Sequence, residues 1–334
     1  MTKSRAWACV VSLTLVLASG VSAGTGTTLR GVPIPQIAGP WWPVAGNPMD
    51  HPYATDRQEP VDFAVWQAAD GSWQLWSCLR GTTAGGAGGK TRFFYRWEGQ
   101  RLTNPNWRPM GIAMEADPTL GETPGGLQAP HVVKVGDTWH LFYGDWVHIC
   151  HATSKDGKTF TRVVQPSGQT GMFSEGPEVN TRDIMLLPHE GTWYAYYTCH
   201  PNNQGMDCVR TTRDFGTWTN STVVAFGGQA TTGPWSAECP HVVKQDNGFY
   251  LFRTQNYGSP EKGDIRKRGP AKTSVYFSAD PTIFGINQDP RYFLCALPVA
   301  APEILLHEGQ YYLAALNEGA LDGIRLARLK WVAQ

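Results

Sequence analysis

Long apolar runs are scarce in this sequence. The one candidate, residues 6–18, falls short of the roughly 20 residues that a membrane-spanning helix needs. It follows Lys3 and Arg5 and precedes the small residues Val21-Ser22-Ala23. That is the layout of a secretory signal peptide over residues 1–23, so the expected mature chain, residues 24–334, is secreted or periplasmic, with no membrane attachment after signal removal. An excess of either charge is missing too, with 28 Lys and Arg against 28 Asp and Glu. Without a basic face there is no expectation of nucleic acid or anionic lipid, and a neutral or weakly charged partner is the default. No stretch carries the spacing of an amphipathic helix, and no close Cys-x-x-Cys pair suggests zinc. The Gly-rich run 81–89 lacks the Gly-Lys-Ser/Thr ending of a phosphate cradle and reads as a flexible surface loop.

What is present is Gly, Pro and aromatic residues spread evenly, with 37 Gly, 24 Pro, 14 Trp and 12 Tyr. After removal of the leader and Cys9, an even set of six cysteines remains: Cys78, Cys150, Cys199, Cys208, Cys239 and Cys295. Cys199 and Cys208 bracket a turn-rich loop that a disulfide could close in an oxidising compartment, and they are the pair expected to bond. The other four read as buried thiols.

The main organisational signal is repetition. Residues 59–76, 128–143, 181–197, 238–252 and 301–313 share one form: a turn or Pro, a polar residue, an apolar strand, a tight polar turn and an aromatic-rich strand. Their starts lie roughly 50 to 70 residues apart, enough for one four-stranded blade each. The turns Asp70-Gly71, Gly136-Asp137, Glu190-Gly191, Asn247-Gly248 and Glu308-Gly309 suit hairpins. The expected fold is therefore all-β, a single five-bladed β-propeller, with a strand near residues 37–44 that closes the ring.

In a propeller the innermost strands line a central channel, so the polar heads of the repeats should converge on one mouth. Those heads are Asp62, His131, Asp183, Glu238 with His241, and Glu303. Several carboxylates around one cavity can keep one proton near neutral pH while the others stay ionised, which is what acid–base hydrolysis demands.

On these residues the chain resembles the glycoside hydrolases of family 43 and its relatives. Glu238-Cys239-Pro240-His241, followed by Val-Val-Lys, is similar to that family's Glu-x-Pro-His acid motif. Asp183 in Arg-Asp-Ile-Met-Leu-Leu is similar to its third-blade Asp. Asp62 stands where the first-blade base would stand, although Pro60 precedes it by two residues, whereas the family places Pro directly after the base. The resemblance implies an O-glycosyl hydrolase acting on an oligo- or polysaccharide, with Glu238 as general acid, Asp62 as general base and Asp183 as the group that tunes and orients the acid. It implies inversion at the anomeric carbon, no required cofactor and room for a structural Ca²⁺ in the central channel. Expected sugar contacts are Trp76, Arg80, Trp146, His200, Trp235, His131, His241 and Glu303, with Asn256, Tyr257 and Arg266 as a further wall. His307 is the candidate metal ligand. Three alternatives stay open: a carbohydrate-binding propeller without catalysis, a retaining relative with an Asp nucleophile, and a relative with a His acid.

Overall fold

The computed structural model describes residues 29–177, 179–201, 204–227, 236–255, 272–287, 289–317 and 321–334. The expected signal peptide, Trp235 and the wall of Asn256, Tyr257 and Arg266 lie outside them. Among the described residues no helix is long and apolar enough to cross a membrane. The strands form five antiparallel-based sheets. Blade one is β2 (Glu59–Gln67), β3 (Trp73–Arg80), β4 (Phe93–Gly99) and β5 (Arg108–Met114). Blade two is β6 (Gln128–Val135), β7 (Thr138–Gly144) and β8 (Ile149–Ser154), edged by β9 (Thr161–Arg162) and β10 (Gly171–Phe173). Blade three is β11 (Arg182–His189), β12 (Thr192–Cys199), β13 (Met206–Thr212) and β14 (Thr222–Phe226). Blade four is β15 (Glu238–Gln245), β16 (Gly248–Thr254), β17 (Thr273–Ser278) and, after the short β18 (Gly285–Ile286) that edges blade three, β19 (Phe293–Leu297). Blade five is β20 (Glu303–His307), β21 (Gln310–Leu316) and β22 (Ile324–Val332), completed by β1 (Ile34–Ala45) from the other end of the chain.

That last pairing closes the ring. It begins at Ile34↔Val332 and ends at Ala45↔Ile324, longer at both ends than the sequence suggested. The first strands of the blades also contact one another in a closed circuit, β2 with β6, β6 with β11, β11 with β15, β15 with β20 and β20 with β2. These five strands therefore wall the channel.

Period-two alternation explains how the blades adhere. On β12, Tyr194 and Tyr196 join the core shared with blade four, beside Val242, Phe249 and Leu251. Trp193, Ala195 and Tyr197 join the core shared with blade two, beside Phe142 and Ile149. Burying one such side chain contributes about 1.5–3 kcal/mol. The phenols are also satisfied, Tyr196 Oη donating to Pro281 O and Tyr197 Oη to Glu175 Oε1, each at 2.7 Å. At the opposite end of each blade the hairpins turn tightly. Glu190-Gly191 and Glu308-Gly309 hold positive φ at both central residues, +49° and +72° in one and +49° and +77° in the other, the backbone of a twist-matched two-residue turn.

Candidate active site

Each inner strand carries the same irregularity near its start. Asp62, Ala129, Asp183, Cys239 and Ala301 have φ of +40°, +43°, +57°, +51° and +46°, one such residue per blade. The ladders shift register at the first four of these places. A left-handed non-glycine residue costs on the order of 1 kcal/mol or more and persists where its surroundings over-determine it. Here side-chain hydroxyls do so: Ser77 Oγ donates to Val61 O at 2.8 Å, Thr198 Oγ1 accepts from Cys239 N at 3.1 Å, and Thr254 Oγ1 accepts from Ala301 N at 2.9 Å.

The bulge decides which side chains share a level. The predicted heads do not form one ring. Asp62, Asp183 and Cys239 occupy the bulge position with Ala129 and Ala301. Two residues further along lie His131, His241 and Glu303, with Ala64 and Met185 as their equivalents. One residue before the bulge lie Arg182 and Glu238, with Val61, Gln128 and Ala300. The pit at the channel mouth, about 40 Å³, is lined by the bulge residues and by those one and two positions beyond them, while Glu238 and Arg182 stand outside its lining. A pit of that size holds a few water molecules.

At the bulge level, Cys239 Sγ lies 3.8 Å from Asp62 Oδ1 and 3.7 Å from Asp183 Oδ2, and Cys239 N donates to Asp183 Oδ2 at 3.2 Å. Cys239, expected as a buried thiol, is only partly buried, and nothing in a residue between Glu and Pro signals the positive φ that places its sulfur between two carboxylates. Asp62 is 9% exposed, and Arg92 Nη1 stands 3.7 Å from its Oδ2. Burial raises the Asp183 carboxyl above its ordinary range; Arg182, whose Nε is 3.5 Å from Oδ2, opposes this, and the nearby Asp62 adds to it. Glu238 is 5% exposed. Its Oε1 accepts from Arg182 Nη2 at 2.5 Å, and its Oε2 has no hydrogen-bond partner among the described residues. Burial lifts its carboxyl to about 7, against the pull of Arg182 and with the push of Asp183. Arg182 is thus a partner of both acids rather than of Asp183 alone. Asp207 on β13 is a fourth acid that the sequence did not single out. It is wholly buried, both its oxygens lack partners among the described residues, and burial lifts it to about 7.

The deeper level is desolvated and neutral. Burial lowers His131 to about 4 and His241 to about 3, and it raises Glu303 well above its ordinary value. Glu303 Oε2 accepts from Val65 N at 2.9 Å, and His241 Nε2 accepts from Ile304 N at 3.2 Å. These side chains tie neighbouring inner strands together, β20 to β2 and β15 to β20.

Three groups, Asp62, Asp183 and Cys239, could present ligand atoms within 4.8 Å of one another. Ca²⁺ asks for six to eight oxygens, whereas this set offers two carboxylates and a thiol, the donor type of a borderline cation. The residues do not fit the Ca²⁺ that the resemblance implied. His307 does not reach the channel: it ends β20 and packs edge-on against Trp73 at 4.9 Å, with Glu308 3.8 Å away.

The remaining expected sugar contacts separate as well. Trp76 is buried to 1% between Trp66, Phe94 and Phe160, so it is blade packing rather than a platform. Arg80 pairs with Glu59 at 2.7 Å. His200 is half-buried and feels the charge of Arg182, which together with burial lowers its pKa. Trp146 is partly exposed beside Lys90 and Arg92. The Gly-rich run is pinned rather than loose, with Thr82 N donating to Thr91 O at 3.2 Å and Thr83 N to Tyr53 O at 3.1 Å. A larger cavity, about 660 Å³, lies between the closing strands of blade five and β5, lined by Trp41, Trp97, Trp107 and Arg325 with Asp322 as its single acid. It lacks the clustered carboxylates of the channel mouth, so chemistry favours the smaller site.

No family model matches the sequence, and no curated protein matches it either. Solved structures do match in fold. A glycosyl hydrolase from Bacteroides ovatus is 14% identical, with a TM-score of 0.60 over 90% of this chain and 96% of that one. A thermostable family-43 glycoside hydrolase is 15% identical, with a TM-score of 0.57 over 84% of this chain and 91% of the other. The Bombyx mori β-fructofuranosidase of family 32 is 15% identical, with a TM-score of 0.56 over 91% of this chain and 63% of that one. The chain is a five-bladed β-propeller whose fold is that of family 43 and family 32 glycoside hydrolases.

Proposed function

We propose that this chain is a glycoside hydrolase that cleaves an oligo- or polysaccharide by inversion, with Glu238 as proton donor, Asp62 as the base that activates water, and Asp183 as the group that keeps Glu238 protonated. The observation that carries the reading is the linkage of these three carboxyls, Arg182 meeting both Glu238 and Asp183 and Cys239 lying between Asp183 and Asp62, with Glu238 lifted to about 7. Its two oxygens differ in the way a carboxylic acid needs. Oε1 accepts from Arg182, which orients the group, while Oε2 is left to bear the proton that passes to the leaving oxygen. The small pit beside Asp62 suits the attacking water, and inversion needs acid and base about 6.5–9.5 Å apart to hold that water. Product anomeric configuration, read by NMR, separates inversion from the retaining alternative.

Glu238→Gln keeps the Arg182 contact and removes the proton; turnover should fall by about 10²–10⁴-fold, and unchanged turnover would overturn the assignment. A His acid finds no support, because His241 is buried with its Nε2 committed to Ile304 N, and His307 stands away from the mouth. Secretion belongs to the same proposal. The Cys199 and Cys208 sulfurs lie 2.7 Å apart as buried thiols. In an oxidising compartment they should bond, and closing so short a loop contributes about 2–3 kcal/mol. The intact mass of the secreted protein, with and without reductant, checks this.

A further inference from the structure

The Gly-rich run and Trp146 form a second constellation at the mouth that acid–base chemistry does not use. Gly85 and Gly125 interlock so closely that a Cβ on either would sit 2.1 and 2.3 Å, respectively, from the Lys90 carbonyl oxygen. With the hydrogen bonds from Lys90 N and Arg92 N to the 124–126 segment, this packing fixes the backbone of residues 90–92. Lys90 Nζ stands 4.3 Å from the Trp146 ring centre, and the Arg92 guanidinium carbon stands 5.3 Å from it. Arg92 Nη1 in turn lies 3.7 Å from Asp62 Oδ2. Trp146 itself is held at φ +90°. The buried Asp145 imposes that conformation, its Oδ1 accepting from Val147 N at 2.9 Å and His148 N at 2.6 Å. Strain of this kind, on the order of 1–3 kcal/mol, concentrates at sites with a task.

Outward from Asp62, then, run a cation, an indole and a second cation. Among the described residues no carboxylate lies within ion-pair distance of Lys90, and Arg92 meets Asp62 at a separation longer than a charge-assisted hydrogen bond. The neighbouring acids are engaged elsewhere, Glu59 with Arg80 and Asp145 with His148. Lys and Arg offer donors only, whereas neutral sugar hydroxyls are met best by donors and acceptors together. A cationic strip also offsets the repulsion that three nearby carboxyls would exert on an acidic substrate.

We propose that Lys90 and Arg92, mounted on Trp146, bind an anionic substituent, a carboxylate or a sulfate ester, on the sugar unit next to Asp62, so that the substrate is an acidic glycan rather than the neutral one its balanced charge suggested. This rests on the mouth being the glycan site proposed above. The test uses full-length Glu238→Gln protein on an array of neutral, uronate-containing and sulfated oligosaccharides, with carboxyl-reduced and desulfated counterparts. Retention should favour uronate or sulfated members over their neutral counterparts, and which of the two is retained identifies the anion. Adding Lys90→Met should weaken that retention about tenfold, the scale of one lost charge-assisted contact, while Lys90→Arg restores it. Equal retention of the counterparts, retention of neutral glycans alone, no retention of any anionic glycan, or indifference to Lys90→Met overturns the proposal. Wild-type hydrolysis of a neutral glycan would sink this inference and leave the hydrolase reading standing; anionic binding without hydrolysis of any member would do the reverse.

Discussion

Two levels of the channel, only two residues apart on the same five strands, differ in the charged partners that surround their ionisable groups. At the bulge level, Asp62 and Asp183 face a water-sized pit and are flanked by Arg92 and Arg182. At the deeper level, His131, His241 and Glu303 are held uncharged by burial. The same five strands supply both levels, and what sets the charge of each group is how it is compensated. Arg182 opposes the upward shift that burial imposes on Asp183, whereas Glu303 has the hydrogen bond from Val65 N in that role and serves as a tie between strands.

That contrast can be broken by isosteric changes. Asp62→Asn removes the base at the upper level and should lower kcat by about 10²–10⁴-fold with little change in the thermal midpoint; a stable variant with wild-type turnover would place Asp62 among the structural residues. Below it, Glu303→Gln should be nearly silent in activity and, near pH 4.5, in stability, because Gln can accept from Val65 N as the protonated Glu does. Glu303→Ala should instead cost about 1–3 kcal/mol by orphaning that amide, measured by urea unfolding. If Glu303→Gln abolished turnover while Asp62→Asn did not, the two levels would have to exchange roles.

The five-fold rhythm was legible in the sequence because turn dipeptides and aromatic strands recur with it, and Glu238-Cys239-Pro240-His241 announced the fourth blade. The layering was not legible. A bulge inserts one residue and so changes which side chain meets the channel, and its left-handed position is filled by Asp, Ala and Cys, not by the Gly that would have flagged it. Asp62, Asp183, Glu238, His131, His241 and Glu303 therefore looked equivalent although they occupy three levels. Lys90 and Arg92 were missed for a different reason. Their place at the mouth depends on Gly85 and Gly125 packing against the Lys90 carbonyl, a contact between segments far apart in sequence.

Stability against pH offers the smallest and most diagnostic effect. Glu303, Glu238 and Asp207 have raised pKa values in the folded chain, so they favour folding below their ordinary values and lose that contribution as pH climbs, Glu238 and Asp207 through about 7. His131 and His241 act oppositely: kept neutral to about 4 and 3, they oppose folding as pH falls below the ordinary imidazole value near 6.5. Between about pH 4.5 and 6.5 the two kinds of group oppose each other, the three acids and Asp183 against these two histidines and against His151, His140, His200 and His51, which burial also lowers. Above about 6.5 the histidines are neutral in both states, and each raised acid still titrating in the unfolded chain's favour costs up to about 1.4 kcal/mol per pH unit. The thermal midpoint should accordingly change less per pH unit through mild acid than above about pH 6.5, where it declines toward 8. Glu303→Gln should make that decline shallower and raise the midpoint relative to wild type from about pH 4.5 upward, because it removes an acid that the unfolded chain ionises from there on and leaves both histidines. A midpoint that rose toward pH 8, or a decline unchanged by Glu303→Gln, would show that the deeper level is not held neutral, and the distinction between the two levels would fall with it.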